Sequence, residues 1–381
     1  MRTALLGVLP RTPPGVSVAV AKQSLLPALP ADLFPGGATA GWWLKAVQLD
    51  LEAKGVIERA AGKPVRSLLI GAGLLLATAW LPTARGANAD SPDPMDAAAF
   101  AARRRWIRTP FGRIACVQQG KGPVVLFLHG FPLSGFQWRH AIAQLSPSRR
   151  CIAPDFMGLG HSQVAATQDL SPQAQSDMLA ALLDALSVAV VDLVANDSGG
   201  TVAQLFAVQH PQRVRTMLLS NCDVHENSPP PQMKNSLAAA RAGTYHLKIA
   251  RHLQDRQYAR SAAGIGGSAY VDPAHFSDEA IEYSFRPLVS SPLRQQQLNH
   301  HLAAFEPNPL LAIEAALKRS MIPTRMVWGT ADTLFPGRWA EWLHQTLPAS
   351  RGIRWVDGGR LFWPEEQPTL LADEARALWS A

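Results

Sequence analysis

From Trp106 onward, short apolar runs alternate with stretches whose apolar residues recur every three or four positions. Residues 114–117 read as a strand after a turn at Phe111 and Gly112. Residues 124–129 form a continuous apolar run, the mark of a strand buried on both faces. Residues 150–154, 190–195, 214–220, 325–328 and 353–356 read as further strands. Residues 173–187 predict a helix with Met178, Leu182, Leu183 and Leu186 on one face. Residues 199–210 predict another, with Val202, Leu205 and Phe206 inward and Pro211 as its stop. Strands alternating with helices predict an α/β fold, a mostly parallel sheet flanked by helices.

Residues 223–305 break that rhythm. They open on Ser228 and three prolines, then turn polar and helical, and they hold all four tyrosines of the chain, Tyr245, Tyr258, Tyr270 and Tyr283. The pattern predicts a helical cap inserted late in the sheet, over the carboxyl ends of the strands where open α/β sheets bind ligands. The core is then residues 90–222 and 306–381.

The first ninety residues read differently. Residues 1–62 are rich in Ala, Pro and Gly and stay unassigned, with a short amphipathic helix expected over 48–61. Lys63 and Arg66 precede an apolar run over 67–81, and Ala87, Asn88 and Ala89 form a small-x-small triplet before Asp90. A basic flank, an apolar core and an A-x-A end describe a secretory signal peptide over 63–89. Such a signal begins a chain, so translation is expected to start near Lys63, with residues 1–62 outside the mature protein. The expected location is periplasmic or secreted. A short membrane anchor or a buried helix of a cytoplasmic protein are the alternatives; the run is short of the ~20 residues of a membrane span.

Composition narrows the class without changing it. Of 381 residues, 47% are hydrophobic and 17% charged, which is globular rather than disordered. The net charge of +7 comes without a nucleic-acid-binding motif, and Arg103, Arg104 and Arg105 read as a solvated face. Cys116, Cys151 and Cys222 have neither metal nor redox spacing and read as buried thiols. No metal or organic cofactor is expected. The expected partner is a small-molecule substrate; no nucleic acid and no stable membrane partner are expected.

The chemistry concentrates at turns that follow strands. Residues 193–200 run from strand to helix with small residues around Asp197 and Ser198. A strained nucleophile turn needs small residues two positions to either side, so that strand and helix can approach. Asp197 has Ala195 and Gly199, whereas Ser198 has Asn196 and Gly200. The flanks favour Asp197. His129, Gly130, Phe131 and Pro132 follow a buried strand, and residues 155–162 fit a D-x-x-G-x-G-x-S turn that reads as structural. Asp332 follows a late strand within a W-G-x-x-D stretch, and Asp223 is a second possible acid.

This ordered set, from about Trp106 to Trp379, resembles the α/β-hydrolase superfamily, in particular the branch of haloalkane dehalogenases and epoxide hydrolases. The resemblance implies oxyanion-hole N–H groups from Phe131 and Ser198, a helical cap, and Asp332 or Asp223 as the triad acid. It implies that Asp197 attacks carbon, that an alkyl ester forms, and that water activated by a His–Asp pair hydrolyses it. The sequence departs from the family at the base. The loop after the last strand places Arg360 or Leu361 where histidine belongs, and no histidine follows His344. Arginine stays protonated and cannot serve. His225, near Asp223, is a substitute candidate, with His300 and His301 behind it. Ser198 also stands where dehalogenases carry a halide-holding Trp. The expectation is an α/β-fold hydrolase of dehalogenase or epoxide-hydrolase type. The alternatives are a catalytically impaired protein binding a small apolar ligand, and a serine esterase using Ser198.

Overall fold

A computed structural model describes residues 16–28, 57–60, 66–69 and 95–380. The chain divides into two compact units, residues 1–87 and 88–381. In the first, Val16–Ser17 and Ile57–Ala60 each pair antiparallel with Arg66–Leu69, and Ser17 caps the helix Val18–Leu25. The strand at Ile57–Ala60 corrects the helix expected over 48–61, where period-2 pairing wins over a weak helical pattern. The rest of that segment, and all but Arg66–Leu69 of the signal-like stretch, lie outside the described residues. No helix among the described residues is long and apolar enough to cross a membrane.

The second unit is built on eight strands: β1 Arg104–Thr109, β2 Gly112–Gln119, β3 Val124–Leu128, β4 Arg150–Pro154, β5 Val191–Asp197, β6 Val214–Cys222, β7 Thr324–Gly329 and β8 Ser350–Val356. Their order in the sheet is β8-β7-β6-β5-β3-β4-β2-β1. From β4 to β8 every neighbouring pair is parallel, and β2 and β1 join antiparallel. Every residue of β5 is buried, as expected of a strand covered on both faces. The solvated arginines fall at a helix end and on edge strand β1, where Arg103 and Arg105 are exposed and Arg104 donates to the Tyr283 hydroxyl. All three cysteines are buried and free.

One boundary differs in a useful way. The apolar run predicts that β5 ends at Ala195, yet the strand continues through Asn196 to Asp197, which pairs in register with Cys222 of β6. Polar residues extend a buried strand here because Asn196 is fully hydrogen-bonded. Its Nδ2 donates to the carbonyls of Ser220 at 2.8 Å and Leu361 at 3.0 Å, and its Oδ1 accepts from Gln137 at 2.6 Å. The segment between β6 and β7 is helical, including Lys234–Arg241, Tyr245–Gln254, Asp278–Phe285 and Pro292–Ala303. It supplies the roof of the cavity described next.

Candidate active site

Asp197 is the last residue of β5 and the cap of the helix Ser198–Gln209, with φ +54° and ψ −133°. A non-glycine residue held there stores about 1–3 kcal/mol of backbone strain. The strain sits at Asp197 and not at Ser198, which makes Asp197 the tip of the turn. Two glycines make the approach possible. A Cβ on Gly199 would lie 2.4 Å from the Leu128 carbonyl oxygen, and one on Gly130 would lie 2.6 Å from Asp197 Oδ2. The Phe131 N–H donates to Asp197 Oδ2 at 2.9 Å. Gln137 fixes that loop by accepting the Gly130 N–H at 2.8 Å while donating to Asn196. Nothing in the sequence marks Gln137; its role needs the loop and the elbow side by side.

Asp197 opens onto a cavity of about 280 Å³. Phe131, Leu302, Phe305, Phe335, Leu361 and Phe362 give it apolar walls, while Asp223, Tyr245 and Lys248 bring ionisable groups. Burial is the main cause pushing the Asp197 carboxyl well above the usual carboxylate range. The charge of nearby Asp223 adds to it, and the Phe131 and Ser198 main-chain N–H groups oppose it. Burial also raises Asp223, to about 7. Lys248 is the one cation among the described lining residues, and burial lowers its pKa. Tyr245 is the one tyrosine among them; burial and the charge of Asp197 keep its hydroxyl protonated.

The other sequence candidates separate. Asp332 is buried, its Oδ2 accepting from Asn221 at 2.9 Å and its Oδ1 from the Leu334 and Phe335 N–H groups at 2.8 and 3.3 Å. The Ser198 hydroxyl is buried without a hydrogen-bond partner. His225 is corrected as a base candidate. It does not line the cavity; its Nε2 pairs with Glu314 at 3.1 Å and its ring stacks on Trp342. His300 is exposed. His301 is buried behind the Phe131 ring, with Nδ1 at 2.9 Å from the Met157 carbonyl, and burial lowers it to about 4. No histidine is among the described lining residues.

The loop after β8 has a different occupation. Leu361 lines the cavity, and Arg360 turns away to donate to the Gly267 carbonyl at 2.6 Å. The Phe362 N–H donates to the Ala269 carbonyl at 2.9 Å, Tyr270 donates to Glu365 at 2.5 Å, and Glu365 also pairs with Arg139. Glu366 accepts the Val271 and Asp272 N–H groups at 3.1 and 2.9 Å. The loop after β8 thus ties residues 267–272 of the roof to the core. Residues 155–162 are structural: Asp155 accepts the Gly135 and His161 N–H groups at 2.8 and 2.7 Å, and Ser162 returns to the Asp155 carbonyl at 2.6 Å. Among the described residues no cluster of three metal-ligating side chains occurs.

Comparison with known proteins agrees with this geometry. Residues 123–367 match the family model described as alpha/beta hydrolase fold, and residues 1–67 match a family of unknown function. A cis-3-alkyl-4-alkyloxetan-2-one decarboxylase of Shewanella oneidensis is 23% identical over 269 residues, 68% of this chain and 82% of that protein. A haloalkane dehalogenase of Mesorhizobium japonicum is 39% identical over 130 residues, 33% of this chain and 40% of that protein. An epoxide hydrolase solved without ligand superposes with a TM-score of 0.61 at 21% identity, covering 73% of this chain and 98% of that one, a likeness of fold. With the strand order, the elbow and the helical roof already in place, the match across residues 123–367 assigns the chain to the alpha/beta hydrolase fold family.

Proposed function

We propose that this protein is a hydrolase in which Asp197 attacks an electrophilic carbon of a small, largely apolar substrate and becomes its alkyl ester. The observation that carries this reading is Asp197 itself: a carboxyl at a strained strand-to-helix tip, one oxygen on the Phe131 N–H, facing an apolar cavity. The attack breaks a carbon–halogen bond or opens a strained oxygen ring, and water later releases the alcohol. The names of the relatives concern a halide, an epoxide and a four-membered lactone, all carbons with a displaceable group. Lys248 is the natural partner for a departing anion, and the Tyr245 hydroxyl for an opening ring oxygen. The Phe131 and Ser198 N–H groups receive the oxyanion of the hydrolysis step, each contributing about 10²–10³ in rate.

A second reading, a ligand-binding protein without turnover, is favoured by a cavity that no described histidine lines. A serine esterase is disfavoured, since the Ser198 hydroxyl has no hydrogen-bond partner among the described residues to take its proton. Intact-mass measurement with product assay, after incubation with 1-bromobutane and with 1,2-epoxyhexane, separates these. The expected result is an adduct or product with wild type that is lost in Asp197→Asn. Neither adduct nor product with either compound overturns the reading.

A further inference from the structure

An ester on Asp197 needs a base to release it, and no histidine is among the described residues that line the cavity. Among the carboxylates, Asp332 is committed to Asn221 and two main-chain N–H groups. Asp223 faces the cavity. It follows Cys222, the residue in register with Asp197 on the neighbouring strand. Its side chain lines the same cavity and is 2% exposed; its Oδ1 makes no full hydrogen bond, and the neighbouring buried Thr201 and Ser228 hydroxyls hold the carboxyl only loosely. A water or ligand in the cavity would complete the bonding of so buried a carboxyl.

We propose that Asp223 is the general base of this site and replaces the absent histidine in hydrolysing the ester on Asp197. The inference rests on the reading of Asp197 as nucleophile. In the step, the Asp223 carboxylate takes a proton from water while the water oxygen bonds to Asp197 Cγ. The carbonyl electron pair moves to the oxyanion between the Phe131 and Ser198 N–H groups. On collapse the bond from Cγ to the alkyl oxygen breaks, and the departing alkoxide takes the proton back from Asp223. Water is consumed, an alcohol leaves, and Asp197 is restored as the acid.

A base works best with a pKa near the working pH, and burial places Asp223 at about 7 while the Thr201 and Ser228 hydroxyls pull it partly back. The ionisable groups around it are Asp197 on the elbow, Cys222 on its own strand, Asp332 after β7, and Tyr245 and Lys248 on the cap helix Tyr245–Gln254. Cys222 and Tyr245 stay protonated through burial, so they do not titrate with it.

The test follows the two half-reactions of Asp223→Asn with 1-bromobutane and 1,2-epoxyhexane. Wild type should turn over, and in ¹⁸O-water it should place label in the Asp197 carboxyl. Asp223→Asn should form the ester and then stall, releasing alcohol about 10²–10⁴-fold more slowly. The limb of the release rate near neutral pH should disappear with it. Asp223→Ala, checked for folding by its melting curve, should regain release with added formate. Wild-type release rates in Asp223→Asn overturn the proposal, as does a wild-type ester that forms and never hydrolyses; both leave Asp197 as nucleophile intact. Failure of wild type to form any adduct or product sinks the nucleophile reading and this one with it.

Discussion

Gly130→Ala tests how closely the loop at Phe131 is fitted to Asp197, the proposed nucleophile. The new methyl would stand 2.6 Å from Asp197 Oδ2 and 2.7 Å from its Cβ, inside van der Waals contact. Asp197 cannot retreat along the chain, because the following turn already lies against the Leu128 carbonyl at Gly199. The carboxyl must therefore swing off the Phe131 N–H that now holds it at 2.9 Å. Losing one oxyanion donor costs about 10²–10³ in rate, or about 3–4 kcal/mol at the transition state. Forcing a methyl into a packed site costs about 1–3 kcal/mol of stability, and each kcal/mol lowers Tm by about 2–4 °C in a domain of this size. The assay is kcat for alcohol release, with Tm as the check on folding. Gly243→Ala is the control, since Gly243 has φ +73° but nothing within 4 Å of an added Cβ. It should lose stability alone. Alcohol release by Gly130→Ala within about threefold of wild type, at unchanged Tm, would refute the fitted geometry, because one lost donor already costs far more.

Other outcomes follow from the same structure. Burial and Asp223 raise the Asp197 pKa, and the attacking form is the carboxylate, so ester formation should accelerate with rising pH; a flat profile of adduct mass against pH contradicts this. Burial raises Asp223 from the ordinary aspartate value of 3.8 to about 7, so the fold favours its protonated form and that advantage is lost as pH rises through 7. Above that pH its burial costs roughly 4 kcal/mol, so Asp223→Asn should gain more in Tm over wild type in alkaline than in acid buffer; an equal gain refutes the shift. Lys248→Met should weaken inhibition by bromide or acetate about tenfold or more, since a hydrogen bond to a charged group contributes about 1.5–3 kcal/mol; unchanged inhibition removes Lys248 from the anion site. Tyr270→Phe leaves a buried Glu365 oxygen without its donor and should cost about 1–3 kcal/mol, with faster amide exchange over residues 267–272; unaltered exchange there would mean that the tie does not hold the roof.

The sequence by itself determined the class of fold and the address of the site. Continuous apolar runs marked the buried strands, and the small residues around Asp197 marked the tip, because both signals are written in consecutive residues and report local sterics. It also showed that a histidine was missing after β8. What it could not decide was who stands near Asp197. Asp223, Lys248 and Leu361 are distant in the chain and meet only because the parallel strands deliver their carboxyl ends to one edge of the sheet, under the roof. Sequence proximity to Asp223 made His225 a candidate base. In the folded chain a left-handed backbone at φ +49° accompanies a side chain held by Glu314 and Trp342 instead. The assignment of Arg360 as a clamp and Leu361 as a wall likewise needed three dimensions. Burial then did what no pattern of letters records: it raised the pKa of Asp223 to near neutrality beside an elbow that lacks its usual base.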